Sequence, residues 1–209
     1  MKFERWRDPQ KGALFVVTGA SGTGKTTLVK LALEAIPGLG WSTSVTTRAP
    51  RTGEVDGVDY HFVSRPRFEE MREAGDLLEW ATVYDNCYGT PRGPVEEALA
   101  QGRSVLLEID AQGAAQVVEA FPGAVTIFVL PPDRDSLERR LRSRKTDSEE
   151  VILRRMRDAA LQIGACGSFD YLVINDDLET AHDHFQAVLV AELLKTERRP
   201  GLVAEMTRP

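Results

Sequence analysis

The chain has 209 residues, 42% hydrophobic and 28% charged, with a formal net charge of −6 and a pI near 5.2. This length suits one compact unit with a real core, and the acidic balance argues against a broad nucleic-acid or membrane surface. With only Cys87 and Cys166, far apart, no apolar run of membrane-spanning length and no apolar signal segment in the charged stretch 1–11, a cytoplasmic protein without nucleic-acid or membrane partners is expected.

In chain order, residues 1–11 read as a short arm and the apolar run 13–18 as the first strand. Directly after it stands Gly19-Ala20-Ser21-Gly22-Thr23-Gly24-Lys25-Thr26, which matches G-x-x-x-x-G-K-[ST]. A chance glycine-rich turn is the alternative, but the strand before and the helical pattern at 24–35 argue for a triphosphate loop. Glycine lets the backbone come close to a ligand. Successive N–H groups can then point at phosphate oxygens at the positive end of the following helix. Lys25 supplies a cation for the β- and γ-phosphates, and the Thr26 hydroxyl suits Mg²⁺.

Residues 41–92 are rich in Gly, Thr, Tyr and Arg, alternate at 58–63, and read as a short helix at 68–74 and a strand at 77–83. A small, mostly β insertion between the first and second core strands is expected. Inside it, Arg48 and Arg51 sit three apart in a loop marked by Pro50 and Gly53. Two guanidinium forks match a dianionic phosphate, and Tyr60 and Tyr88 offer hydroxyl donors. Solvated surface charge is the other reading of such a pair.

Apolar strands follow at 104–110, 124–130 and 169–175, separated by helical patterns at 111–120, 133–143, 148–165 and 178–197. Continuous apolar runs suit strands buried on both faces of a parallel sheet, and the alternation implies an α/β, doubly wound P-loop core. Right-handed crossovers would bring the strand ends and the phosphate loop to one rim. The basic stretch 139–157 can fold over a triphosphate. His61, His182 and His184 read as structural or exposed, since His182 and His184 lie two apart on a helix and face different directions.

Residues 44–60 resemble the GMP-binding segment of guanylate kinases. Residues 78–80, 88–90, 107–113 and 173–176 resemble later motifs of that family in the same order, and the likeness runs from about residue 13 to about 197. The resemblance implies a core of 1–40, 93–138 and 158–209, a GMP-binding domain at 41–92 and a helical, arginine-bearing lid at 139–157. It implies the Mg²⁺-dependent reaction ATP + GMP → ADP + GDP, with dGMP as a further acceptor. Carried over, Arg48, Arg51, Tyr60 and Tyr88 hold the GMP phosphate, and Ser44, Glu79, Thr90 and Asp110 surround guanine. Glu79 can accept from the N1–H and N2–H₂ donors, and hydroxyls can donate to O6. Asp110 has an alternative role, organising Mg²⁺ through water. Arg140, Arg144 and Arg155 match lid arginines, and Asn175 lies where the family contacts adenine. Cys87 stands where Tyr is common, and Thr90 where Ser is common.

Two rival readings are a non-catalytic guanylate-kinase-like peptide-binding module and a kinase for another nucleoside monophosphate. The first sits poorly with Lys25, Thr26, Arg48 and Arg51 all present, and the second with Ser44, Glu79 and Asp110.

Overall fold

The computed structural model describes residues 11–83, 85–143 and 148–207, so all but the last residue of the expected arm lies outside the described residues. The chain begins with β1 (Leu14–Thr18), α1 (Lys25–Ala35), β2 (Leu39–Trp41), β3 (Val45–Thr46) and β4 (His61–Phe62). It continues through α2 (Arg65–Glu73), β5 (Leu77–Val83), β6 (Asn86–Pro91), α3 (Arg92–Ala100), β7 (Ser104–Glu108) and α4 (Ala111–Ala120). Then come β8 (Val125–Leu130), α5 (Arg134–Ser143), α6 (Glu149–Gly164), β9 (Tyr171–Ile174), α7 (Leu178–Leu193) and α8 (Pro200–Met206).

The core sheet is parallel throughout, in the order β2-β7-β1-β8-β9. Its central strand β1 is buried along its whole length, as an uninterrupted Leu-Phe-Val-Val-Thr run requires. The pleat sorts its side chains: Phe15 and Val17 join Leu28 and Ala32 of α1 and Phe185 and Leu189 of α7, whereas Leu14 and Val16 join Val95 of α3 and Ala114 and Val117 of α4. Each fully buried side chain of this size stabilises the fold by about 1.5–3 kcal/mol.

The register pairs Val17 with Glu108 and Thr18 with Phe128. The ends of β1, β7, β8 and β9 therefore reach one rim, where the phosphate loop starts.

The insertion builds its own sheet, ordered β4-β3-β6-β5, over a small core of Val45, Phe68, Leu77 and Cys87. Helix α2 starts where Ser64 accepts from the Arg67 N–H at 3.3 Å, with proline at the first turn. Helices α5 and α6 pack through Leu137, Leu141, Ile152 and Met156, and Ala20 of the phosphate loop completes that cluster. Cys87 and Cys166 are free thiols. Among the described residues no helix is long and apolar enough to cross a membrane.

Four elements differ from expectation. Strand β2 pairs with β7 in the core sheet before the insertion begins, so the insertion lies between the second and third core strands. Three residues with a central glycine leave no periodicity to read. Helix α3 follows the insertion directly, over Arg92–Ala100, where no helix was expected; Pro94 in its first turn reads as a breaker in sequence but is tolerated at a helix start. The alternation at 58–63 yields only the two-residue β4. Finally, β9 is an edge strand with Leu172 and Ile174 exposed, so it is not buried on both faces as expected.

Candidate active site

Between β1 and α1 the loop turns on glycine. At Gly24, φ is +90° and a Cβ would stand 2.3 Å from the Asn175 amide nitrogen. At Gly19 a Cβ would stand 2.3 Å from the Val129 carbonyl oxygen. Side chains are therefore excluded at both ends of the loop. Ala20 and Thr23 are fully buried beneath it; the Thr23 hydroxyl donates to the Ala20 carbonyl at 2.9 Å, and Asn175 donates to the Thr23 carbonyl at 2.7 Å. Lys25 lies across the loop, its Nζ 2.6 Å from the Gly19 carbonyl oxygen and 3.1 Å from that of Ala20. Gly22, Ser21 and Thr26 line the adjoining cleft.

That cleft has a volume of about 450 Å³ and runs from the loop to the insertion. On the insertion side it is lined by Ser44, Arg48, Arg51, Tyr60, Glu79 and Tyr88, and Asp110 closes the core side. Residues far apart in sequence are thus brought to one cavity.

Arg48 is 13% exposed and makes a two-bond pair with Glu54, Nη2 to Oε1 at 2.8 Å and Nη1 to Oε2 at 3.0 Å. Glu54 also accepts the Arg51 backbone N–H at 2.7 Å. The bond from Arg48 and then the bond from the Arg51 N–H hold the Glu54 carboxyl below the usual range. The Arg48 guanidinium lies 5.3 Å from the Tyr60 ring centre, and Tyr60 meets Tyr88 edge-on at 6.1 Å. Burial, chiefly, raises the Tyr60 pKa, so the phenol stays a donor. Two arginines and two phenols lining one cleft offer the donors that match a compact dianion.

On the same side of the cleft Glu79 is only 4% exposed. Thr90, fully buried behind it, donates to its Oε1 at 2.7 Å. Burial is the main cause that pushes the Glu79 carboxyl up to about 7, with the nearby Asp110 carboxylate adding to the effect and the Thr90 bonds opposing it. Asp110 spends Oδ1 on the N-terminus of α4, accepting the Gly113 N–H at 2.8 Å.

The expected lid arginines fall into three cases. Arg140 turns inward: it donates to the carbonyls of Asn175 at 2.8 Å, Asp176 at 3.4 Å and Thr23 at 3.5 Å, tying α5 to the phosphate loop. Arg155 is half-buried on α6 and does not line the cleft. Arg144 lies outside the described residues. Asn175 is buried under the loop rather than lining the cleft.

Three residues in this neighbourhood were not singled out from sequence. Glu54 could have been suspected from its place three residues after Arg51. Glu108 ends β7 and accepts the Thr26 hydroxyl at 2.8 Å; as the carboxylate at the end of an apolar strand, two before Asp110, it carried a legible signal. Gln162 reaches the cleft from the last turns of α6 and carried none.

The Thr26 and Glu108 oxygens form a hard donor pair beside Lys25. Among the described residues no group of three or more His, Cys, Asp or Glu is placed to hold a metal ion by itself. An all-protein cage is thus lacking there, and the pair fits Mg²⁺, which takes few protein ligands and completes its shell with phosphate and water oxygens.

Comparison with known proteins agrees with this geometry. The family model described as guanylate kinase matches residues 11–192. A guanylate kinase of Bradyrhizobium diazoefficiens is 52% identical over 195 residues, 93% of this chain and 89% of the relative. One of Carboxydothermus hydrogenoformans is 52% identical over 188 residues, 90% of this chain and 92% of the relative. The crystal structure of guanylate kinase from Anaplasma phagocytophilum superposes with a TM-score of 0.79 at 35% identity, covering 96% of both chains.

Proposed function

The chain belongs to the guanylate kinase family and transfers a phosphoryl group from ATP to GMP, giving ADP and GDP, and we propose that the two nucleotides meet in the 450 Å³ cleft. What carries this reading is the joining of the phosphate loop, the Arg48–Arg51 anion site and the buried Glu79 in one cavity.

ATP places its phosphates on the loop N–H groups and Lys25. The GMP phosphate sits on Arg48, Arg51, Tyr60 and Tyr88. Glu54 holds the Arg48 fork in place through the two bonds above, which reduces the freedom lost when a phosphate arrives. The acceptor is an anionic phosphate oxygen, so no strong base is required; the work is alignment and charge neutralisation. Thr26 and Glu108 would hold Mg²⁺, which supplies charge stabilisation on the transferring phosphates. With Glu108 bonded to Thr26, that role suits Glu108 better than Asp110.

At the guanine end Glu79 accepts from N1–H and N2–H₂. Thr90, bonded to Glu79 from behind, orients the carboxylate, and Ser44 on the cleft wall offers a hydroxyl to O6. Arg140 keeps Thr23 and Asn175 together beneath the loop. The family resemblance gives Arg144 and Arg155 the lid role of shielding the transferring group; of these Arg155 stands on α6, from which Gln162 also reaches the cleft with a polar side chain.

The test is a coupled ADP-release assay with ATP and each of GMP, dGMP, AMP, CMP, UMP and dTMP. GMP and dGMP should be turned over. A site built on such hydrogen bonds rejects a mismatched base by about 10⁴-fold or more, so AMP activity within tenfold of GMP would overturn the assignment of Glu79.

A further inference from the structure

Helix α4 belongs to the core, yet it presses on the strand that carries Glu79. Gly113 is the third residue of this helix and has ordinary helical backbone geometry, so its φ demands no glycine. Alanine is the better helix former at such a position. The space explains the glycine instead. A Cβ at Gly113 would stand 2.3 Å from Glu79 Oε2 and 3.0 Å from its Cδ, where ordinary contact begins near 3.4 Å. The carboxylate therefore lies directly on the bare Cα.

Three residues on, and so on the same face of the helix, Gln116 clasps the next peptide of the same strand. Its Oε1 accepts from Trp80 N–H at 3.2 Å, and its Nε2 donates to the Trp80 carbonyl at 2.8 Å. Strand β5 is the edge of the insertion sheet, and these are its outward-facing backbone groups. Glu79 is thereby fixed from both sides: Thr90 on β6 binds one oxygen, and α4 limits the travel of the other.

We propose that Gly113 and Gln116 form a positioning face that sets where the Glu79 carboxylate stands, and with it the discrimination of the guanine N1–N2 edge from purines lacking the 2-amino group. This rests on the reading that Glu79 accepts from guanine. A methyl group at position 113 must displace the carboxylate by about 1 Å to restore ordinary contact. Glu79 ends in a flexible side chain, so the backbone need not move and the fold survives. Two parallel hydrogen bonds do not survive a shift of that size, because misplacement by about 1 Å can cost on the order of 100-fold. Loss of the Gln116 clasp frees Trp80 and, through it, Glu79.

The experiment compares Gly113→Ala, Gln116→Ala, Glu79→Gln and the wild-type full chain. KM and kcat are measured for GMP and for IMP, which lacks only the 2-amino group, together with KM for ATP and the melting temperature. Gly113→Ala should raise KM for GMP by at least about tenfold and reduce the GMP-over-IMP preference by a similar factor. Its KM for ATP should stay within about twofold, and its melting temperature should be no lower than wild type, since alanine favours the helix. Gln116→Ala should move the same two readouts in the same direction. Wild-type GMP preference in both variants, alongside its loss in Glu79→Gln, overturns the proposal and leaves the Glu79 reading standing. If Glu79→Gln itself keeps the preference, the Glu79 reading fails and the proposal with it. A uniform loss toward GMP, IMP and ATP also overturns it. Should Gly113→Ala fail to fold, the GMP-to-IMP ratio of Gln116→Ala decides.

Discussion

GMP binding should expel a proton from Glu79 near neutral pH. The carboxyl is buried at 4% exposure and pushed up to about 7, whereas guanine N1–H and N2–H₂ require it ionised. With a pKa of about 7, about a tenth of the free protein has Glu79 ionised at pH 6 and about nine-tenths at pH 8. Apparent affinity for GMP should thus fall about tenfold from pH 8 to pH 6 through this group alone. The GMP phosphate also titrates near pH 6, as phosphate monoesters do. It does so equally with Glu79→Gln, so the difference between the two profiles isolates Glu79. Calorimetric titration at each pH, in two buffers of different ionisation enthalpy, reads both the affinity and the proton released. Stability moves with the same group. The folded-state pKa lies above the unfolded value near 4.5, so the stability that Glu79 lends is complete below pH 4.5 and is lost as pH rises through 7. The shift is worth about 3 kcal/mol at most, so Glu79→Gln should gain stability over wild type between pH 5 and pH 8. Parallel GMP-affinity profiles for the two proteins, with no proton released by wild type at pH 7, would refute the reasoning.

Lys25→Ala should cut phosphoryl transfer by orders of magnitude while the melting temperature changes little, and near-normal turnover in the folded variant would remove Lys25 from the mechanism. Arg48→Ala or Arg51→Ala should raise KM for GMP by an amount equal to about 1.5–3 kcal/mol of lost charge-assisted bonding and leave ATP affinity nearly unchanged; equal weakening of ATP would place them in the wrong subsite. Glu54→Ala should raise KM for GMP by a smaller factor, because Arg48 keeps its charge and loses only its fixed orientation; steady-state kinetics against both nucleotides measures this. Glu108→Gln should raise the Mg²⁺ concentration for half-maximal rate by about tenfold or more with KM for GMP unaltered, and an Mg²⁺ titration of activity checks it.

What the sequence determined by itself was whatever is encoded in contiguous residues. The phosphate loop is legible because eight consecutive positions carry its chemistry and the flanking strand and helix announce its setting. Strands β1, β7 and β8 are legible because strands buried on both faces must be apolar throughout. Arg48 and Arg51 are visible as a pair because one short loop holds both. Tertiary structure decided what depends on distant partners. Glu54 looks like any surface carboxylate until Arg48 folds onto it, and Glu108 acquires a role only when the parallel register sets it beside Thr26, 82 positions earlier. Arg140 reads as one more cation of a basic strip, yet its donors go to carbonyls more than thirty residues away in either direction. Gly113 reads as a poor helix residue, and only the packing of α4 against β5 reveals the carboxylate that occupies its missing side chain. The raised pKa of Glu79 belongs to the same class: a side chain's desolvation is set by everything that covers it, and here β6 and α4 cover it while Asp110 adds a like charge, none of them its neighbours in sequence.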